Sequence, residues 1–284
     1  MSRILGESTA SGGANGANGA LTPVVRSAPS AGHVVTTIAR REIGLAARRG
    51  LVRILFLGSL LPPIVLAVIL LVQIFAEQTF GTNLGWDPLL RFLQAQAIPV
   101  ALLSLALGTP LVARDRAEDV IFLYGVRPVQ PWQYVLGKLL AVAAPAAALM
   151  LFPGIVIAFL RMSVVGDLSA AQGAAMVSKV ALAALLVGAG YAGVAVGPSA
   201  AVKRARTALL LSIGAFTLPD LAARLISLRD PAPIGPSTAI RALLASLFGQ
   251  GDASDGLIGA VALITYAVAG FLVARARVGR EMTP

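Results

Sequence analysis

The chain has 284 residues, of which 57% are apolar and 13% charged, with a formal net charge of +10 and a mean hydropathy of +0.83. No soluble domain of this size can hide so much apolar surface, which excludes an ordinary globular enzyme and makes a bilayer the natural solvent. With no cysteine and a single histidine, His33, disulfide frameworks, thiolate metal sites, histidine-base chemistry and serine triads lose their parts, so neither a metal site nor a catalytic residue is expected.

Residues 1–33 are small, polar and repetitive, with Gly12, Gly13, Asn15, Gly16, Asn18 and Gly19 among them. They hold no signal-peptide core and read as a disordered tail. From 34 the pattern sets Val35, Ile38, Ile43 and Leu45 against Arg40, Arg41, Glu42, Arg48 and Arg49, which predicts an amphipathic helix on the membrane surface. Charge-free runs able to cross about 30 Å of hydrocarbon follow at 54–76, 92–113, 139–160, 180–202 and 256–274. A sixth, 207–228, reaches full length only with Asp220 and Arg224 included. Four residues apart on a helix, these two can pair, so they read as a structural ion pair or as a polar step on a transport pathway.

Prolines recur inside these runs, which membranes tolerate where neighbouring helices satisfy the freed backbone groups. Gly188, Gly190, Gly193 and Gly197 in the fourth run permit close helix approach. The 229–255 connection, with Pro231, Pro233 and Pro236 and a helix capped by Ser237, reads as a connector along the outer surface or as an external gate. The fold expected is therefore an all-α integral membrane protein with six transmembrane helices in one domain over 34–284.

Orientation follows from the Lys and Arg count. Of 23 such residues only Arg91, Arg161, Lys179, Arg224, Arg229 and Arg241 fall on one side of the six spans. Both termini are thus expected in the cytoplasm, with the chain multi-pass in the cell inner (plasma) membrane. Topology accounts for the basic excess, and no aromatic-interleaved basic surface suggests nucleic acid.

One connection on the basic side is unlike the others: 114–138, RDRAEDVIFLYGVRPVQPWQYVLGK. Asp115, Glu118 and Asp119 lie beside Arg114 and Arg116; Val120, Ile121, Leu123 and Tyr124 follow at helical spacing, and Gly125 with Pro128 ends the segment. The pattern predicts a short amphipathic helix followed by a turn. Trp132 and Tyr134 then precede the next span, where amphipathic rings favour the interface. Three carboxylates would be repelled by anionic headgroups and suit a protein partner better.

These residues resemble the six-helix permease subunits of type-2, exporter-like ABC transporters. The likeness rests on Asp115, Arg116 and Asp119, then Leu123, Tyr124, Arg127 and Pro128, and then Tyr134, Val135, Leu136, Gly137 and Lys138 entering the third span. It extends over 34–280 through the six-span layout, and it departs from the family's pattern at Asp119, where Glu is usual, and at Gln130. The resemblance implies that Asp115, Arg116, Glu118, Asp119, Leu123, Tyr124, Arg127 and Pro128 form a cytoplasmic coupling helix contacting an ABC ATPase subunit. Trp132, Tyr134, Gly137 and Lys138 would then be a membrane-entry motif. ATP and Mg would sit on the partner ATPase, and this chain would bind no cofactor. In keeping with that, no G-x-x-x-x-G-K-[ST] occurs: Leu139 follows Gly137–Lys138, and Trp132 stands where the first Gly would be. A second permease copy or a related chain would complete the pathway. An ion-coupled secondary carrier, which calls for mid-membrane carboxylates, and a non-transport membrane scaffold are the alternatives.

Overall fold

In hydrocarbon, backbone N–H and C=O groups find no water, so a chain this apolar must satisfy them within helices. The structure, a computed structural model, describes residues 30–80, 88–125, 129–165, 169–226 and 231–282; among these there is no strand. The described residues form eleven helices in the order α1 (Ala31–Ala47), α2 (Gly50–Gly58), α3 (Leu61–Phe80), α4 (Pro88–Gly108), α5 (Leu111–Ala117), α6 (Val120–Gly125), α7 (Pro131–Val165), α8 (Ala170–Ala201), α9 (Ala205–Ile226), α10 (Pro236–Leu247) and α11 (Ala253–Met282). Among the described residues six stretches are long and apolar enough to cross a membrane: Gly50–Ile69, Leu89–Ala117, Pro131–Leu160, Ala170–Ala201, Ala205–Ile226 and Ala253–Met282. The fold is that of a multi-pass membrane protein.

The helices overrun the apolar runs at several ends, because helical hydrogen bonding persists past the hydrocarbon into polar sequence. Residues 1–29, most of the predicted tail, lie outside the described residues; helix begins at Ala31, with the Ser30 hydroxyl accepting from the His33 N–H at 3.4 Å.

At the centre stands α8, flanked by α7 and α11. Its glycines face those neighbours: a Cβ on Gly188 would stand 2.8 Å from the Ala143 carbonyl oxygen, and one on Gly193 would stand 2.6 Å from Ala267 Cα. Backbones this close are the packing that small residues allow in membranes, where apolar side chains gain little from leaving lipid. By contrast α9 turns Leu210, Leu218, Leu221, Leu225 and Ile226 outward, and the α2–α3 span does the same with Ile54, Leu57, Leu61 and Ile64.

Breaks in this scaffold are mended by three side chains from other helices. Pro153 and Pro63 have no N–H to offer the carbonyls of Leu149 and Ser59; the Gln96 side chain of α4 donates to both, at 3.0 and 3.4 Å. Beyond Pro110, the first amides of α5 are taken by Ser199 of α8, whose hydroxyl accepts from Val112 N and Ala113 N at 3.1 Å each and donates to the Thr109 carbonyl at 2.8 Å.

The third of these side chains, Asp220, corrects three expectations. Asp220 is not paired with Arg224 in any ion pair among the described residues. Its carboxylate accepts instead from Ser237 N at 3.0 Å, Ser237 Oγ at 2.6 Å, Thr238 N at 3.0 Å and Thr238 Oγ1 at 3.1 Å, capping α10 from α9. Two helix-end amides and two hydroxyls gathered at a positive helix end outbid one exposed guanidinium. The residue at the cap position is therefore Gly235 rather than Ser237. Nor does α10 lie on the surface: Thr238, Ala239, Ile240, Leu243 and Leu244 are all buried, packed against α11, α4, α9 and α8.

Candidate functional site: a polar clasp joining α1, α5, α7, α8 and α11

The expected coupling segment is divided in two. The second span runs on past the break at Thr109 and Pro110 into α5, which carries Asp115 and Arg116; the chain turns at Glu118 and Asp119, and α6 begins at Val120. Asp119 has φ +53°, the left-handed region that aspartate tolerates better than most residues. Arg127 and Pro128, and the side chain of Leu123, lie outside the described residues.

The division separates the named residues by role. Asp115 and Arg116 turn into the bundle. Lys138 of α7, only 1% exposed, places its ammonium 2.7 Å from Asp115 Oδ2 and 2.8 Å from Glu42 Oε1 of α1. The Tyr134 hydroxyl donates to the same Asp115 oxygen at 2.6 Å, and its ring lies 5.3 Å from the Lys138 ammonium and 5.1 Å from the Tyr124 ring. Arg116 reaches the other way, donating through Nε to Glu281 Oε1 of α11 at 2.9 Å and through Nη1 to the last carbonyls of α8, at Ala200, at 2.7 Å. A guanidinium suits this position because its planar fork serves a carboxylate and a helix C-terminus at once. Five helices, α1, α5, α7, α8 and α11, are thereby tied together, α1 through the Lys138 ammonium and the others through Asp115 and Arg116.

This geometry explains the Tyr134–Lys138 motif. Gly137 is where α1 crosses α7: a Cβ there would stand 2.8 Å from Ile38 Cβ and 3.1 Å from the Val35 carbonyl oxygen. Glycine lets α1 come close enough for Glu42 to reach Lys138. Tyr134 is fully buried in the bundle rather than lying at the interface beside Trp132. Trp132 is half-buried, and its indole N–H donates to Gln130 Oε1.

What stays outside is the turn itself. Glu118 is exposed and pairs with Arg114 at 2.7 Å, a contact that contributes little in water. Asp119 and Phe122 are also exposed, and they border a recess of about 370 Å³ closed by Ile121, Lys203, Arg116 and Glu281. The recess offers both signs of charge around an aromatic ring, a mixture suited to a protein surface.

Glu42 and Glu281 were not singled out by sequence, although each stands alone among arginines: Glu42 after Arg40 and Arg41, Glu281 after Arg280. A solitary acid in a basic segment is the signal that would have marked them. Among the described residues no group of acids and histidine could hold a metal ion. Comparison of the chain with protein-family models and with curated proteins finds no match.

Proposed function

We propose that this chain is the membrane-spanning subunit of an ABC transporter, in the exporter-like class, driven by a separate ATPase that docks on the α5–α6 turn. Two permease chains, each supplying half of the pathway, would be capped by two ATPase subunits that carry the ATP and Mg. Both termini and the turn would face the cytoplasm of a cell whose inner membrane holds the chain.

The observation that carries this reading is the contrast within the turn. Its outer residues, Glu118, Asp119 and Phe122, are exposed to a partner, while its root at Asp115 and Arg116 is bound to α7, α8 and α11, and through Lys138 to Glu42 of α1. A push on such a turn is passed to the spans rather than absorbed by a loose loop, as coupling through a packed polar network requires. An ion-coupled carrier would need an uncommitted carboxylate inside the membrane, whereas the Asp220 carboxylate is engaged at the N-terminus of α10.

The test is co-purification with an ATPase, followed by measurement of its stimulated turnover. Asp119→Lys and Phe122→Ala should each lower the stimulation several-fold while membrane insertion and yield stay unchanged. Full stimulation in both variants, or the lack of any associated ATPase, rejects the assignment.

A further inference from the structure

We propose that the elbow between α1 and α2 binds one anionic phospholipid, with an acyl chain in the groove beneath the elbow and the phosphate held by Arg48, Arg49 and Arg53. The groove has a volume of about 450 Å³ and is walled by Ile43, Ala46, Val52, Phe56, Leu107 and Pro145, within the size range of small-molecule sites. The one charged residue on its wall is Arg53, whose Nε donates to the Ala47 carbonyl at 2.9 Å. That bond caps the end of α1 and fixes the guanidinium at the mouth of the groove.

The mouth carries a surplus of positive charge. Arg48 and Arg49 form the bend itself, and none of Arg40, Arg41, Arg48, Arg49 or Arg53 enters an ion pair among the described residues. The only carboxylate in this stretch, Glu42, is bound by Lys138. Along α7, Pro145 lies seven residues beyond Lys138, about 10 Å at 1.5 Å per residue. The groove therefore runs from the level of the polar clasp into hydrocarbon.

Cationic at the mouth and apolar below, it matches an amphiphile with an anionic head. A neutral apolar ligand would leave the arginines unmatched, and a soluble anion would leave the groove uncovered. The inference requires only that the chain sits in a bilayer, so it stands apart from the ATPase reading.

The test uses the full chain in mild detergent with equimolar phosphatidylglycerol and phosphatidylcholine, read by native mass spectrometry. One bound phosphatidylglycerol is expected in about tenfold excess over phosphatidylcholine. The excess should survive Arg275→Gln with Arg277→Gln but fall below about twofold in the combined variant Arg48→Gln, Arg49→Gln, Arg53→Gln. Glycerophosphoglycerol, the headgroup without chains, should fail to displace the lipid. Equal retention of the two lipids by the unmodified chain, displacement by the headgroup alone, or an equal loss in the tail variant would each overturn the proposal. The first two readouts need no variant to fold.

Discussion

Lys138 is the residue on which the clasp depends. An ammonium sheltered to 1% exposure is tolerable only because two carboxylates lie within 2.8 Å, and the reverse holds for Glu42 and Asp115. Lys138→Met keeps the length of the side chain but leaves two anions facing one another in a poorly hydrated pocket. Loss of one member of a buried ionic group costs about 3–5 kcal/mol, so a marked fall in the midpoint of thermal unfolding in detergent is expected. Adding Glu42→Gln and Asp115→Asn removes the stranded charges and should recover a large part of the loss. A triple variant no more stable than Lys138→Met alone would show that the lysine acts through packing instead of charge.

Helix breaks are where these elements depend on one another. Each proline leaves a carbonyl four residues earlier without its donor, and in an apolar interior that carbonyl must find another. Gln96→Leu should expose this dependence at Leu149 and Ser59, at a cost of about 1–3 kcal/mol for stranded polar groups. In a Pro153→Ala background the helix regains the N–H that Leu149 lacks, and the same substitution should cost measurably less. A double-mutant cycle on unfolding midpoints decides it, and equal costs in both backgrounds would sink the explanation. The elements themselves were readable beforehand, because hydrocarbon imposes one length and one composition on every span. What joins them was not. Asp220 and Arg224 four residues apart predict a pair, yet the N-terminus of α10, sixteen residues further along at Pro236, takes the carboxylate. The acidic and basic residues of 114–119 read as one surface, whereas folding sends Asp115 and Arg116 inward and leaves Glu118 and Asp119 outside. Local spacing records which residues share a helix face, and it carries no record of which distant helix end arrives there.

At the scale of the whole molecule, the asymmetry of burial and the asymmetry of charge describe the same object. The central helix α8 is shielded on both flanks by α7 and α11, while α9 and the α2–α3 span present bare leucine and isoleucine. Such a surface is stable only where its surroundings are equally apolar. The basic residues gather at the end that carries α1, the α5–α6 turn and the end of α11, and the positive-inside rule predicts that this end faces the cytoplasm. Because the chain contains no cysteine, single thiols report on this arrangement without background. Ser254→Cys, at the start of α11 on the opposite end, and Glu118→Cys, at the turn, are both exposed positions. In intact cells a membrane-impermeant maleimide should label Cys at 254 and spare Cys at 118; after the membrane is opened both should react. Labelling of 118 from outside would put the clasp and its turn beyond the reach of any cytoplasmic ATPase. Protection of both positions before and after opening would mean that the helix ends are covered by something other than solvent. A third thiol, Ala192→Cys in the fully buried part of α8, should resist even a lipid-soluble reagent, because it is enclosed by protein on every side rather than by lipid.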